Sequence, residues 1–304
     1  MLNISGIIEK CGIGTLPVKD VLENISLLED IYGYDDIIEI YNYILQNSKD
    51  IELLSGIMRL LSNYRDKSTL PLLINILLLK SLDLEESDAL INLRVLCSKV
   101  IASYKDTSTV GAMLYCLNNK NENYKIRLAC ADALGRIGDR YAVEPLINVV
   151  KDEEEKSVYV KESAAFALGL IGDVSAVDPL VAIMEAKQGI IDKFTFLKEK
   201  VIEALGRINC NNDKVLKVYK SSLSDASPVV RINTIEALMN SDYEEATDLI
   251  RIGLHDEDEE VQRNALIALY NIIGRDVLDE VISLPGYSKF LKEEAKNIID
   301  EYEE

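Results

Sequence analysis

Five cysteines and one histidine are the residues of this chain best suited to nucleophilic, redox or metal chemistry, and their spacing limits what they can do. Cys11, Cys97, Cys116, Cys130 and Cys210 are odd in number and contain no CxxC, so neither a zinc knuckle nor a thioredoxin-type pair is available. Such a scattered set fits a reducing, cytoplasmic setting better than an oxidised framework. His255 is the single histidine and cannot build a multi-histidine metal centre. As a general base it lacks a nucleophile or orienting partner that the sequence places nearby. The run Asp256 to Glu260 behind it has neither the alternating ligands nor the central glycine of a calcium loop. Gly12-Ile13-Gly14 only begins a dinucleotide fingerprint, and no GxxxxGKS/T, GxSxG or HExxH occurs. Glu244-Glu245 and Glu293-Glu294 read as exposed helix charges. No catalytic, cofactor or metal site is assigned.

A second set of chemically capable residues recurs with a period. Arg94, Arg127, Lys161, Lys198, Arg231 and Arg263 lie 32 to 37 residues apart, and weaker copies of the same register start at Leu22 and Leu54. A row of cations can grip phosphates. It can equally pair with turn carboxylates and align a stack, and the regular recurrence of Asp66, Asp106, Asp139 and Asp173 favours that structural ladder. Cys97 and Cys130 both stand three residues after an anchor, where other copies hold Ala164, Val201 and Leu266, so they read as core positions rather than reactive thiols. Cys116, in MLYCLNN, reads as packing too. Cys11 and Cys210, in less regular segments, are the thiols worth testing for reactivity.

The elements that carry these residues follow from the offsets. Apolar residues recur 3, 7 and 10 positions after most anchors, as in Cys130, Leu134 and Ile137 or Ala164, Leu168 and Ile171, which traces one face of a helix. The residue at offset 8 is small in Ser62, Ala102, Gly135, Gly169 and Gly206, which implies close approach of a neighbouring helix. A short turn with an aspartate follows, then a second helix with Pro71, Pro145 or Pro179 near its start. Ser157, Ser227-Pro228 and Asp258 read as starts of first helices. The expected fold is all-α: a right-handed α-solenoid, an armadillo-type superhelix of about eight antiparallel helix pairs. The expected boundaries are a non-repeat segment 1–20, divergent repeats 21–90, clear repeats 91–287 and an acidic capping helix 288–304. Extra residues fall near 81–90 and 186–196.

The residues Ile126 to Leu146 and Val160 to Leu180, with partial copies at 197–209, 230–238 and 261–274, resemble the HEAT-like repeat of the phycobilisome-lyase type. That resemblance implies an α-solenoid and says little of activity, because the repeat serves scaffolds, enzyme subunits and a few enzymes. Related deoxyhypusine hydroxylases hold two irons with repeated His-Glu pairs. Here His255 precedes Asp256 and has no second histidine, which excludes that activity. The copy at 197–228 replaces the expected Gly-Asp turn by Cys210-Asn211-Asn212-Asp213, and the copy at 229–260 has Met239 in place of glycine.

Charge narrows the partners. The 304 residues carry 52 acidic and 33 basic side chains, a formal charge of −19, against phosphate-tracking nucleic-acid binding and against docking on anionic membrane. Residues 229–304 hold 19 acidic and 7 basic side chains, so the field concentrates there and suits a basic partner. The run at 70–82 is too short to span a membrane, and the first residues lack a signal-peptide pattern. Tyr32, Tyr34, Tyr41, Tyr43 and Tyr64 crowd one stretch, where exposed tyrosines make interface anchors. The expected function is a non-catalytic scaffold that binds a protein or peptide through a concave groove or the acidic end. Glu144, Asn148, Asp178, Glu185, Asp248 and Arg251 are the candidate contacts on the second helices. The alternative is a bilin-lyase-like or other accessory subunit of an enzyme.

Overall fold

The computed structural model describes residues 3–79, 87–185 and 195–302, which form helices and short 3-10 turns without a strand. Most of the inserted segments expected near 81–90 and 186–196 lie outside the described residues. The chain divides into two compact units, Met1–Ala142 and Val143–Glu304. The division falls inside the fourth repeat.

The first unit contains α1 (Ile4–Lys10), α2 (Val18–Ser26), α3 (Tyr34–Asn47), α4 (Ile51–Leu61), α5 (Leu70–Leu77), α6 (Asp88–Ser103), α7 (Val110–Asn118) and α8 (Tyr124–Ile137). The second contains α9 (Val143–Lys151), α10 (Val158–Ile171), α11 (Val177–Glu185), α12 (Thr195–Ile208), α13 (Asp213–Ser222), α14 (Pro228–Met239), α15 (Ala246–Ile252), α16 (Glu259–Ile273), α17 (Asp276–Ser283) and α18 (Lys289–Tyr302). In each unit the even-numbered helices from α2 to α18 are the first helices of repeats and pack side by side: α4 on α6, α6 on α8, α10 on α12, α12 on α14 and α14 on α16. This is the stacking of an α-solenoid.

The apolar stripe is buried where the periodicity places it: Leu61, Ile101, Leu134, Leu168, Leu205 and Leu238 are almost completely enclosed. One helical turn on, at offset 10, it fades, and Ile273 is exposed. Small residues mark where first helices touch. A β-carbon built on Gly169 would lie 2.8 Å from the Ala204 α-carbon, and one on Gly206 would lie 2.9 Å from the Ala237 β-carbon.

The helix ends follow ordinary capping chemistry. Gly138 and Gly172 adopt left-handed backbone at the ends of α8 and α10, as glycine does most cheaply. In the divergent repeat Asn209 takes that conformation at φ 48°. There the Tyr243 hydroxyl accepts from the Asn212 amide at 2.8 Å and donates to the Asn212 carbonyl at 2.8 Å, so a tyrosine of the next repeat holds the turn that lost its Gly-Asp pair. Asp258 caps α16 through the Glu260 and Val261 amides. Ser227 and Ser157 do not cap: the Ser227 hydroxyl donates to Glu199 at 3.1 Å, and the Ser157 hydroxyl is buried without a partner. In α18, Leu291, Ala295 and Ile298 face the core and Glu293, Lys296, Asp300 and Glu301 face solvent, an amphipathic pattern.

Candidate interaction surface

The anchor cations are inside the protein. Arg94, Arg127, Lys161 and Arg231 are all buried, a burial tolerated only with full pairing. The Arg94 Nε donates to the Leu77 carbonyl at 2.8 Å, the Arg127 Nε to the Leu117 carbonyl at 2.8 Å and the Lys161 Nζ to the Val150 carbonyl at 3.3 Å. Those carbonyls end α5, α7 and α9, where a helix has acceptors to spare and favours a cation. The same side chains reach forward. Arg94 grips Glu122 with both terminal nitrogens at 3.0 and 2.5 Å. Lys198 meets Asp225 at 3.0 Å, Arg231 clasps Asp256 at 2.8 and 2.7 Å, and Arg263 donates to Glu294 at 2.9 Å.

The ladder carboxylates are therefore not those expected. Asp66, Asp106, Asp139 and Asp173 each accept from a backbone amide two residues on, at 2.9 Å, and start the short 3-10 turn between the helices of a pair. Asp106 also meets Lys67 at 2.7 Å. Arg94, Lys198 and Arg231 are received by Glu122, Asp225 and Asp256, in the loops between repeats, and Arg263 by Glu294 on α18. A sequence signal for two of them existed: Asp225-Ala226-Ser227 and Asp256-Glu257-Asp258 place an aspartate two residues before a helix start, where it accepts the amide at 2.9 Å. The run at 256–260 is largely spent on the fold, since Asp256, Asp258 and Glu260 hold Arg231, the start of α16 and Arg263.

The thiols fall into the packing. Cys97, Cys116 and Cys130 are buried, with Cys97 donating to the Leu73 carbonyl at 3.0 Å, and burial pushes the Cys97 thiol up. Cys11, expected to be testable, is also buried and pushed up by desolvation. Cys210 is the half-buried one. His255 stacks on Tyr287 with centroids 5.1 Å apart. Among the described residues no group of three or more His, Cys, Asp or Glu side chains is placed to hold a metal ion. No described helix is long and apolar enough to cross a membrane. Of the crowded tyrosines, Tyr41 is fully buried and donates to Glu29 at 2.6 Å, while Tyr34 and Tyr43 are exposed.

The outward faces of the second helices gather the candidate contacts of the second unit. Glu144 and Asn148 on α9, Asp178 and Glu185 on α11, and Asp248 on α15 are exposed, and Arg251 is half-buried. Three of them are bridged to the next second helix. Asp178 meets Lys214 at 2.7 Å, Glu185 meets Lys217 at 3.2 Å and Arg251 meets Glu280 at 2.9 Å. Lys220 and Glu245 continue the series. The Asp178–Lys214, Glu185–Lys217 and Lys220–Glu245 pairs are exposed and each worth about 0–1 kcal/mol, so they can be exchanged for a partner's charges at little cost, whereas the Arg251–Glu280 pair is half-buried. Lys214 is held above its ordinary pKa by its hydrogen bond to Asp178.

Two more carboxylates tie charge to stability. Burial pushes Glu203 up, yet hydrogen bonds from Lys200 and Arg207 outweigh it and hold the carboxyl below its usual value. The Tyr287 hydroxyl, with Arg251, does the same for Glu280. A carboxylate whose pKa is lowered by folding stabilises above its ordinary pKa, near 4, and loses that contribution as pH falls. Melting temperature should therefore fall more steeply between pH 5 and pH 3 in the parent than in a Glu203→Gln, Glu280→Gln double variant. Equal slopes would show that these contacts do not act in solution.

Comparison with known proteins agrees with this architecture. Residues 112–195, 190–270 and 216–284 match the family described as HEAT repeats. No curated protein matches in sequence. Among solved structures, the karyopherin Kap95p in its complex with RanGDP aligns at 14% identity and a TM-score of 0.62, over 98% of this chain and 48% of that one. Kap121p bound to the extreme C-terminus of the protein phosphatase Cdc14p aligns at 13% identity and a TM-score of 0.55, over 99% of this chain and 39% of that one. The CpcE–CpcF complex of phycocyanin lyase from a Nostoc species aligns at 22% identity and a TM-score of 0.49, over 76% and 94% of the two chains. At these identities the two karyopherin likenesses speak for the fold alone.

Proposed function

Because this chain belongs to the HEAT-repeat family, with matches reaching from residue 112 to residue 284, we propose that it is a non-catalytic scaffold that binds a protein partner. The binding face is formed by the second helices of the second unit, around Glu144, Asn148, Asp178, Glu185, Asp248 and Arg251, and it extends to the acid-rich end. One observation carries this reading: consecutive second helices present ionisable side chains at equivalent outward positions, paired mostly through exposed contacts. Exposed Glu236, Asp242, Glu257, Glu259, Asp276 and Asp300 give the last quarter an acidic surface, which would steer a basic segment into contact.

The test is capture from native lysate with the full chain, with an Asp178→Lys, Glu185→Lys, Asp248→Lys variant, and with a Glu257→Lys, Glu259→Lys, Asp300→Lys variant. Bound proteins are identified by mass spectrometry at low and high salt. A basic protein held by the parent, released by salt and lost from the first variant is the expected result. Loss from the second variant alone would move the contact to the acidic end. Turnover of a substrate by the isolated chain, or a coloured chromophore bound in stoichiometric amount, would overturn the non-catalytic assignment and favour the accessory-subunit alternative.

A further inference from the structure

Within each unit neighbouring first helices pack side by side, so the strip between one pair can be compared with that between another position by position. Between α10 and α12 the strip is filled from within. Phe166, five residues after its anchor Lys161, lies under the Lys200 ammonium and the Arg207 guanidinium, 5.2 and 5.1 Å from the ring centroid. Glu203 ties both cations together, at 2.8 Å from Lys200 and 3.0 Å from Arg207. Between α14 and α16, Met239 reaches across to Asn271, 3.8 Å away.

Between α6 and α8 the position of Phe166 is taken by Lys99, which is exposed, and a cavity of about 240 Å³ is left open. Its apolar lining is Val95 and Ala102 from α6 and Leu128, Ala129 and Ala133 from α8. Two of the three polar positions of the filled strip are kept, and Ala129 stands where Lys200 does. Asp132 stands five residues after its anchor, as Glu203 does, and Arg136 stands nine after it, as Arg207 does. Lys99 and Lys125 also line the opening, so three cations surround one carboxylate in a chain that is acidic overall.

We infer that the groove between α6 and α8 receives an aromatic side chain of a partner protein, carried on a segment with acidic residues beside it. The ring takes the place that Phe166 fills between α10 and α12, against the small alanines and under the Arg136 guanidinium, where a cation favours a ring face. The acidic neighbours answer Lys99 and Lys125. This site lies on first helices of the first unit and does not depend on the second-helix face proposed above.

The probes are fluorescein-labelled peptides: Gly-Asp-Phe-Glu-Gly, its Phe-to-Ala counterpart and Gly-Lys-Phe-Lys-Gly, titrated by fluorescence anisotropy against the full chain. The acidic phenylalanine peptide should bind about tenfold or more tighter than either of the others. Lys99→Phe should fill the groove as Phe166 does, keep or raise the melting temperature, and abolish the preference. Arg136→Ala, a change at an exposed position, should weaken the phenylalanine peptide without altering the fold, and it decides the matter if Lys99→Phe does not fold. Equal binding of the phenylalanine and alanine peptides, no measurable binding, or full binding by Arg136→Ala would overturn the assignment. Equal binding of the lysine-flanked peptide would overturn its acidic part.

Discussion

Replacing Gly169 by leucine should lower the melting temperature of the chain by roughly 5–10 °C. The residue sits inside α10 where α12 crosses it, and a β-carbon there would lie 2.8 Å from the Ala204 α-carbon and 3.2 Å from its β-carbon. Overpacking costs about 1–3 kcal/mol when side chains can adjust. Here the nearest atom is backbone, so relief requires the two helices to separate, and the cost belongs at the top of that range. For a unit of this size 1 kcal/mol corresponds to about 2–4 °C. Gly169→Ala is the sharper test, because two effects oppose each other: removing a mid-helix glycine favours the helix by about 1 kcal/mol, while the β-carbon meets Ala204. The clash should win and the variant should melt below the parent. Gly111→Ala is the control, since a β-carbon added there would meet nothing within 4 Å and only the propensity gain remains. If Gly169→Leu melted with the parent, the close approach of α10 and α12 would be wrong.

How far the sequence carries depends on which interactions repeat. The helical faces were legible because burial of Leu134, Leu168, Leu205 and Leu238 demands an apolar residue every repeat, and a seven-residue offset cannot hide. The glycine contacts were legible for the same reason. What the sequence could not supply was the partner of each anchor. Asp139 and Asp173 recur as regularly as the cations, yet regularity says nothing of direction, and their carboxylates turn to the amides of Tyr141 and Ser175. Glu122, Asp225 and Asp256 occupy loops of different composition, so their common role shows only when the chain is folded. Likewise Asp178, Glu185 and Arg251 were readable as outward positions from helical phase, whereas their pairing with Lys214, Lys217 and Glu280 depends on the spacing between helices. The open strip beside Lys99 had a sequence trace, the lysine standing where another repeat has Phe166, but its meaning requires the filled strip for comparison.

Arg231→Met should be about as damaging as the glycine change, by a different route. The guanidinium spans two loops: it donates to the Asp225 carbonyl at 2.7 Å behind it and clasps both oxygens of Asp256 at 2.7 and 2.8 Å ahead. Methionine matches the length and apolar character of the stem, so lost packing contributes little. What remains is a carboxylate with 12% exposure and a loop carbonyl, both deprived of the guanidinium, and removing one partner of such a buried pair costs about 3–5 kcal/mol. A phosphate-gripping cation would behave in the opposite way, since its removal would relieve repulsion and raise stability while abolishing binding. Adding Asp256→Asn to Arg231→Met separates the two accounts, because the second change removes the stranded charge while its side-chain oxygen can still accept from the Asp258 backbone amide. The double variant should recover part of the loss, and a coupling energy of about 0.5–3 kcal/mol would mark the pair as a stack-aligning contact. Strict additivity, or a melting temperature that rises in Arg231→Met, would return the anchor row to the surface as a ligand-binding feature.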